Sequence, residues 1–358
     1  MRFSEKELIS LIKRRLAKSA PSEGIIVGPG DDAAIIAPTP GEALVISTDA
    51  VVEDVHFRLE WATGFLLGSK SLLSSISDIF AMGARPQACL VSLGLSSRID
   101  PLFVEDLFEG MLKGAGRLGA SIVGGNITRS DKVFIDMTVT GLVAPGAAIT
   151  RAGAEVGDAI YVTGCLGGAA LAAECLFGGR MDKGALIKVE SFLRDDMAEP
   201  QGDDAAQIAL LSRFFAPPIR AQESLTLAAA RICTSMIDIS DGIGSDLREV
   251  CCESEVGAEI EIDSIPVFDR VPGSAAIKES DMLELAISGG EDYELLFTVR
   301  QADELRLHRL FRTNDLCRIT KIGRITPSSA GLVFLDKNGR QSGGFTGFDH
   351  FRKKEEGR

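Results

Sequence analysis

At 358 residues the chain exceeds what one hydrophobic core fills, so two domains are expected, and a hydrophobic content of 45% supplies both cores. The formal net charge of −13, from 51 acidic against 38 basic residues, excludes nucleic acid as the main partner, because phosphate backbones are held by stripes of lysine and arginine. No run reaches the roughly 18 uninterrupted apolar residues of a membrane helix, which excludes a membrane partner of that kind.

The chain opens with Leu8, Ile9, Leu11, Ile12 and Leu16 interleaved with charges, the spacing of an amphipathic helix over 4–18 rather than of a signal peptide. A cytoplasmic location is the expectation. Residues 1–148 then read as a first unit. A strand over 43–48 ends in Asp49, a helix covers 63–83, a strand covers 88–95 and a helix covers 101–118. The short strand Ser-Ile-Val-Gly-Gly and an alternating strand over 133–143 follow, closed by Pro145 and Gly146.

A second unit, 149–358, begins with a strand over 158–164, a glycine turn from Gly164 to Gly168 and a helix to 177. The charged stretch from Met181 to about Ala205 reads as a surface excursion or mobile loop. Helices over 206–215 and 221–231 precede a strand at 235–240 that runs straight into a helix starting at Asp241. Strands at 258–263, 293–299, 318–325 and 331–335 complete the unit. Several strand-to-strand steps lack a helix between them, so the fold class is α+β: two α/β-layered domains with mixed or antiparallel sheets.

The seven cysteines are odd in number and form no C-x-x-C pair, which points to a reduced compartment. Three histidines are too few for a histidine-rich zinc site.

Carboxylates recur beside small residues at strand-to-turn boundaries: Asp31-Asp32, Asp49 after Ser47-Thr48, Asp78 after Ser77, Asp238 and Asp241 around Ser240, and Glu291-Asp292 after two glycines. One such acid is ordinarily a turn or helix cap. Five together suggest magnesium, which takes oxygen ligands from carboxylates, hydroxyls, water and substrate phosphates. Gly124-Gly125-Asn126 and the Gly164–Gly168 turn place bare backbone N–H groups where phosphate oxygens could approach. Gly68-Ser-Lys-Ser71 lacks P-loop spacing and lies in a helical pattern, so it is set aside. His56 follows the Asp49 strand closely enough to contact a substrate, and no spacing supports a nucleophilic triad.

These motifs resemble one family in order and wording. Gly28-Pro-Gly-Asp-Asp-Ala-Ala34, Ser47-Thr-Asp-Ala-Val-Val-Glu-Asp-Val-His-Phe57 and Ser77-Asp-Ile-Phe-Ala-Met-Gly-Ala84 are similar to the N-terminal half of the thiamine-monophosphate kinases. Gly124-Gly-Asn126, Thr150-Arg-Ala-Gly153, Ile237-Asp-Ile-Ser-Asp-Gly242, Ser288-Gly-Gly-Glu-Asp-Tyr-Glu294 and Gly347-Phe-Asp-His-Phe351 continue the resemblance. The acidic N-terminal pattern alone belongs to the wider aminoimidazole-ribonucleotide-synthetase-like superfamily.

The resemblance implies transfer of the γ-phosphate of ATP to thiamine monophosphate by direct in-line displacement, with several Mg²⁺ ions. It implies metal contacts at Asp32, Ser47, Thr48, Asp49, Asp78, Asn126, Asp238 and Asp241, with Asp49, Asp78, Arg151 and Asp241 central to catalysis. ATP would meet Gly125, Asn126, Arg151 and Ser240, and the acceptor His56, Glu291 and Phe348. The N-terminal domain would bind metal and ATP and form a homodimer through its sheet, while the second domain completes the ATP and substrate site. Asn126 stands where the family commonly has aspartate, which removes one charge beside its ion. The rivals are another ATP-dependent reaction of the superfamily and a non-catalytic nucleotide or cation sensor. Selenophosphate synthesis calls for a reactive N-terminal cysteine and a carbamoyl-dehydrating maturation factor for a C-terminal one, whereas the first cysteine here is Cys89 and the chain ends Glu-Glu-Gly-Arg.

Overall fold

The computed structural model describes residues 5–16, 24–27, 34–181, 183–195, 204–269, 277–339 and 341–342. Contacts divide the chain into two units, Met1–Ile149 with Cys175–Arg231, and Thr150–Glu174 with Ile232–Arg358. The sequence boundary at 148/149 lies one residue before the first break in this division, and Cys175–Arg231 groups with the N-terminal residues. The chain leaves the second unit partway along a helix and returns to it after Arg231.

The first unit comprises α1 (Glu5–Leu16), the short pair β1 (Ile25–Val27) and β2 (Ile35–Ile36), β3 (Ala43–Val52), α2 (Gly64–Ala81), β4 (Arg85–Leu95), α3 (Pro101–Leu118), β5 (Ser121–Arg129) and β6 (Phe134–Val143). The order in its main sheet is β3-β6-β4-β5, with β4 and β5 parallel and the other pairs antiparallel. α2 starts where the Thr63 hydroxyl accepts the Leu66 N–H, and α3 where Asp100 accepts the Phe103 N–H, with Pro101 in its first turn. Gly119, at φ 76°, ends α3 in the left-handed conformation that glycine adopts without penalty. α2 is buried over nearly its whole length, packed on the sheet and on α3. Its Gly68-Ser-Lys-Ser71 run lies mid-helix, and Lys70 is fully buried with Nζ 3.8 Å from the Phe214 ring centroid.

Beyond β7 (Ala159–Thr163) and α4 (Gly168–Phe177), the stretch expected to be a surface excursion contains α5 (Lys183–Arg194). Several of its charges are paired. Arg194 binds Glu190 (2.8 Å), Glu109 (2.6 Å) and Asp106 (3.0 Å), with its guanidinium 4.1 Å from the Phe65 ring centroid, while Ala185, Leu186 and Val189 form a buried stripe. Residues 182 and 196–203 of that stretch lie outside the described residues. α6 (Ala205–Phe215) and α7 (Ala221–Ala230) pack on α2, and the Ser224 hydroxyl donates to the Phe80 carbonyl oxygen.

The second unit continues with β8 (Cys233–Asp238), α8 (Ile243–Glu253), β9 (Val256–Glu261), α9 (Glu279–Ser288), β10 (Leu295–Val299), α10 (Glu304–Thr313), β11 (Ile319–Pro327), β12 (Leu332–Leu335) and β13 (Gln341–Ser342). Its sheet order is β13-β12-β9-β11-β7-β10-β8, antiparallel except for the parallel pair β12/β9. Ile160 and Val162 of β7 join a core with Leu247 and Val250 of α8 and Ala286 and Ile287 of α9. Tyr161 points to the opposite layer, stacked on Phe297, and Phe297 in turn on Phe311 of α10. Two mixed sheets with helical layers are the α+β class read from the sequence.

Candidate active site

In the first unit, β3 runs past Asp49 to Val52 because β6 pairs it residue for residue, so Asp49 lies inside the strand opposite Met137 rather than at its end. Alternation along the strand sends successive side chains to opposite faces. The Ser47 hydroxyl donates to Asp78 Oδ2 on α2 at 2.5 Å, while the Thr48 hydroxyl, on the other face, donates to Asp136 Oδ1 at 3.3 Å. Asp49 Oδ1 accepts the Ala50 N–H at 3.0 Å. Ser47 and Asp78 thus form one group, and Thr48 belongs to another with Asp136, a residue sequence reasoning passed over. The alternation of Asp136, Thr138 and Thr140 along the 133–143 strand was the signal that could have found it.

Gly124-Gly125-Asn126 sits within β5 rather than after it, and Asn126 lies opposite Ser92 of β4, which in turn lies opposite Asp136. By register Asn126 therefore shares the sheet face of Thr48 and Asp136. A Cβ on Gly125 would fall 1.9 Å from the Val91 carbonyl oxygen, so close approach of β4 already accounts for this glycine. In the turn after β3, the Val52 N–H donates to His56 Nδ1 at 3.0 Å, which leaves the imidazole proton on Nε2. The turn is braced by Glu53, buried and bound to Arg98 Nη2 (2.7 and 2.8 Å) and to the Val133 N–H (2.8 Å).

In the second unit, Asp238 ends β8, and the segment to Gly242 turns before α8 begins at Ile243, two residues later than the expected start at Asp241. Gly242, at φ 96°, lies so close to the next loop that a Cβ would be 2.7 Å from the Gly289 carbonyl oxygen. Asp246, in the first turn of α8, is buried and accepts the Asp241 N–H at 3.1 Å. Burial, followed by the charges of Asp238 and Asp241, pushes its carboxyl up to about 8, against a smaller opposing pull from the Asp241 N–H and Arg151. Sequence reasoning missed Asp246, since an acid in a helix's first turn is ordinary. Arg151 is exposed, and its backbone is pinned by Ser254, whose hydroxyl donates to the Arg151 carbonyl oxygen (2.9 Å) and accepts the N–H groups of Gly153 and Ala154 (3.1 Å each). The Ser240 carbonyl oxygen accepts the Glu291 N–H at 2.8 Å, so Ser240, Asp241 and Glu291 lie side by side.

The Gly164–Gly168 turn differs from its sequence reading as a phosphate cradle. Asp292, fully buried, already takes the N–H groups of Gly167 (2.7 Å) and Ala169 (3.3 Å), so an internal carboxylate occupies the start of α4. Asp32 and Phe348 lie outside the described residues.

Among the described residues, no three His, Cys, Asp or Glu side chains gather as a metal cage. The donor sets that do occur are a carboxylate with a hydroxyl, as in Ser47–Asp78, and neighbouring acids at the β8–α8 turn. They fit Mg²⁺ arriving with a nucleotide, because that ion keeps its waters and phosphate oxygens and needs only one or two protein carboxylates.

The model for the AIR synthase related protein N-terminal domain matches residues 30–143, and the model for its C-terminal domain matches residues 155–336. Thiamine-monophosphate kinase of Buchnera aphidicola subsp. Acyrthosiphon pisum is 30% identical over 98% of this chain and 100% of its own length. The crystal structure of thiamine-monophosphate kinase from Stenotrophomonas maltophilia K279a superposes with a TM-score of 0.77 at 30% identity, covering 96% of this chain and 99% of that one. AaThiL complexed with AMPPCP and TMP superposes with a TM-score of 0.70 at 27% identity, covering 98% and 99%. With both domain models matched in order and a relative aligned end to end, the chain belongs to the thiamine-monophosphate kinase family.

Proposed function

We propose that this chain transfers the γ-phosphoryl group of ATP to thiamine monophosphate, giving thiamine diphosphate and ADP. The observation that carries this reading is likeness over nearly the full length to thiamine-monophosphate kinases, supported by a structural relative bound to AMPPCP and TMP. The acceptor is a phosphate oxygen already largely ionised near neutral pH, so neither a strong base nor a covalent nucleophile is required. What the residues must supply is position and charge compensation.

In the first unit Ser47, Thr48, Asp49, Asp78 and Asn126 would hold magnesium, as would Asp238 and Asp241 in the second, with Asp32 outside the described residues. Magnesium, when bound, neutralises charge spreading over the phosphoryl oxygens. Arg151 adds a fixed positive charge for the nucleotide, and Gly125 and Ser240 offer it backbone and hydroxyl contacts. His56, with its proton on Nε2, can donate to the acceptor. Glu291 would accept from the aminopyrimidine and attract the thiazolium, and Phe348 would stack on the pyrimidine. The N-terminal domain, 1–148, would bind metal and nucleotide, and 149–358 would complete the site.

A homodimer through the N-terminal sheet is part of this reading. Leu44 and Ile46 of β3 and Leu90 of β4 are exposed, with Ile46 at 60%, on strands that are otherwise well paired. A cytoplasmic setting accords with seven cysteines of which none is in a disulfide, and no described helix is long and apolar enough to cross a membrane. The test is product analysis after incubation with ATP, Mg²⁺ and thiamine monophosphate. Thiamine diphosphate and ADP should appear one for one, and ADP without thiamine diphosphate would overturn the reading.

A further inference from the structure

The Ser288–Glu294 segment contains two non-glycine residues in the left-handed region, Glu291 at φ 67° and Tyr293 at φ 50°. Such conformations are costly, and they persist where the surroundings hold them, often where a functional group must be presented. The surroundings here act from two sides. On one side the Glu291 N–H donates to the Ser240 carbonyl oxygen (2.8 Å), the Tyr293 N–H to Ile239 (2.9 Å), and the Ile239 N–H to Glu294 (2.8 Å). Gly290 approaches the same strand end so closely that a Cβ would sit 2.2 Å from the Ser240 carbonyl oxygen.

On the other side stands Asp292, between the two left-handed residues and fully buried. A buried carboxylate is tolerated only when compensated. This one accepts the N–H groups of Gly167 (2.7 Å) and Ala169 (3.3 Å), where the unpaired N–H groups and dipole of α4 favour negative charge. Next to it Glu294, also fully buried, accepts the Thr163 hydroxyl at 2.7 Å, and that hydroxyl accepts the Leu295 N–H at 2.8 Å. Three chain segments, 163–169, 239–241 and 288–295, are thereby tied into one unit.

We infer that Asp292 is a positioning residue: by anchoring the Ser288–Glu294 segment to the start of α4, it fixes the left-handed backbone that presents Glu291 beside Ser240 and Asp241. The inference rests on the reading of Glu291 as a contact for thiamine monophosphate. It separates two adjacent acids by role. Glu291 meets the acceptor, and Asp292 holds Glu291 in place.

Asp292→Asn keeps the size of the side chain and removes its charge and one acceptor. In the full chain it should raise KM for thiamine monophosphate about tenfold while KM for ATP stays within about twofold. In a Glu291→Gln background the same substitution should add less than about twofold, because its effect runs through Glu291. An unchanged acceptor KM with a lowered melting temperature would reduce Asp292 to a helix cap and overturn the inference. Equal rises in both KM values, or a fully additive effect with Glu291→Gln, would overturn it as well. Should Asp292→Asn fail to fold, Ala169→Pro deletes one donor to Asp292 in the first helical turn, where proline is tolerated, and leaves 288–294 intact. It should raise the acceptor KM about threefold, and no change would contradict the inference. Amide hydrogen exchange at 290–294, measured without substrate, tests the anchor even if the wild-type chain makes no thiamine diphosphate. Faster exchange in Asp292→Asn is expected, and unchanged exchange overturns the anchor whatever the activity.

Discussion

Two acids of the first unit and two of the second rest on different supports. Asp78 and Asp136 are half-buried, stand on a long helix and a fully paired strand, and meet hydroxyls, Ser47 at 2.5 Å and Thr48 at 3.3 Å. Asp246 and Asp292 are buried and accept main-chain N–H groups, those of Asp241 in one case and of Gly167 and Ala169 in the other. Asp246 and Asp292 thus spend carboxylate oxygens on the backbone and shape turns of the second unit, whereas Asp78 and Asp136 each pair with a side-chain hydroxyl, a donor set that suits an oxygen-liganded ion.

Removing an acid proposed to hold magnesium should break this contrast most severely. Asp78→Asn, and likewise Asp49→Asn, should lower kcat by at least ~10²-fold, the scale of losing one transition-state stabiliser, with the fold retained. Steady-state kinetics beside calorimetry would check this, and near-normal turnover in both variants would remove the first unit's acids from the chemistry. Glu291→Gln comes next, with KM for thiamine monophosphate raised about tenfold and KM for ATP within about twofold. Losses shared equally by both substrates would point to folding damage instead. Ser47→Ala removes the hydroxyl that orients Asp78, a bond worth about 1 kcal/mol, and that would also hold magnesium, so a fall in kcat of at least about three- to tenfold is expected. No fall at all would remove Ser47 from the metal site and show that α2 positions Asp78 unaided.

The smallest effect sharpens the other half of the contrast. The Asp246 carboxyl titrates at about 8 when folded against 3.8 as a free side chain. Between those values the folded chain holds a proton that the unfolded chain has lost, so Asp246 makes metal-free protein less stable as pH rises from about 4, and the loss is complete above about 8. In Asp246→Asn the amide oxygen would keep an acceptor for the Asp241 N–H and lack the titration, so the variant's melting profile should fall less over that window. Parallel profiles for variant and wild type would contradict the role assigned to burial here.

Much of the frame was legible because local signals governed it. Asp100-Pro101 and Gly119 mark both ends of α3, and the alternation over 133–143 marks β6. Partners distant in sequence decided the rest. β3 continues past Asp49 because β6 pairs it, and Gly124-Gly125, which read as a strand end, lies inside β5 against the backbone of β4. The stretch that holds α5 reads as an excursion because Gly184, Pro200, Gly202 and many charges make it irregular, whereas Arg194 ties the end of that helix to α3. At the site, the motif acids Asp78, Asp238 and Asp241 were legible as a pattern. The tasks of Asp136, Asp246 and Asp292 depend on hydrogen bonds to Thr48, to a turn and to a helix start, which no spacing records.

Carboxylate, magnesium and nucleotide should be needed jointly. Thiamine diphosphate formation from ATP and thiamine monophosphate should rise and saturate with added Mg²⁺, stop with EDTA, and in Asp78→Asn fall at least ~10²-fold at saturating Mg²⁺. Formation that continues undiminished in EDTA, or that Asp78→Asn leaves at the wild-type rate, would contradict it.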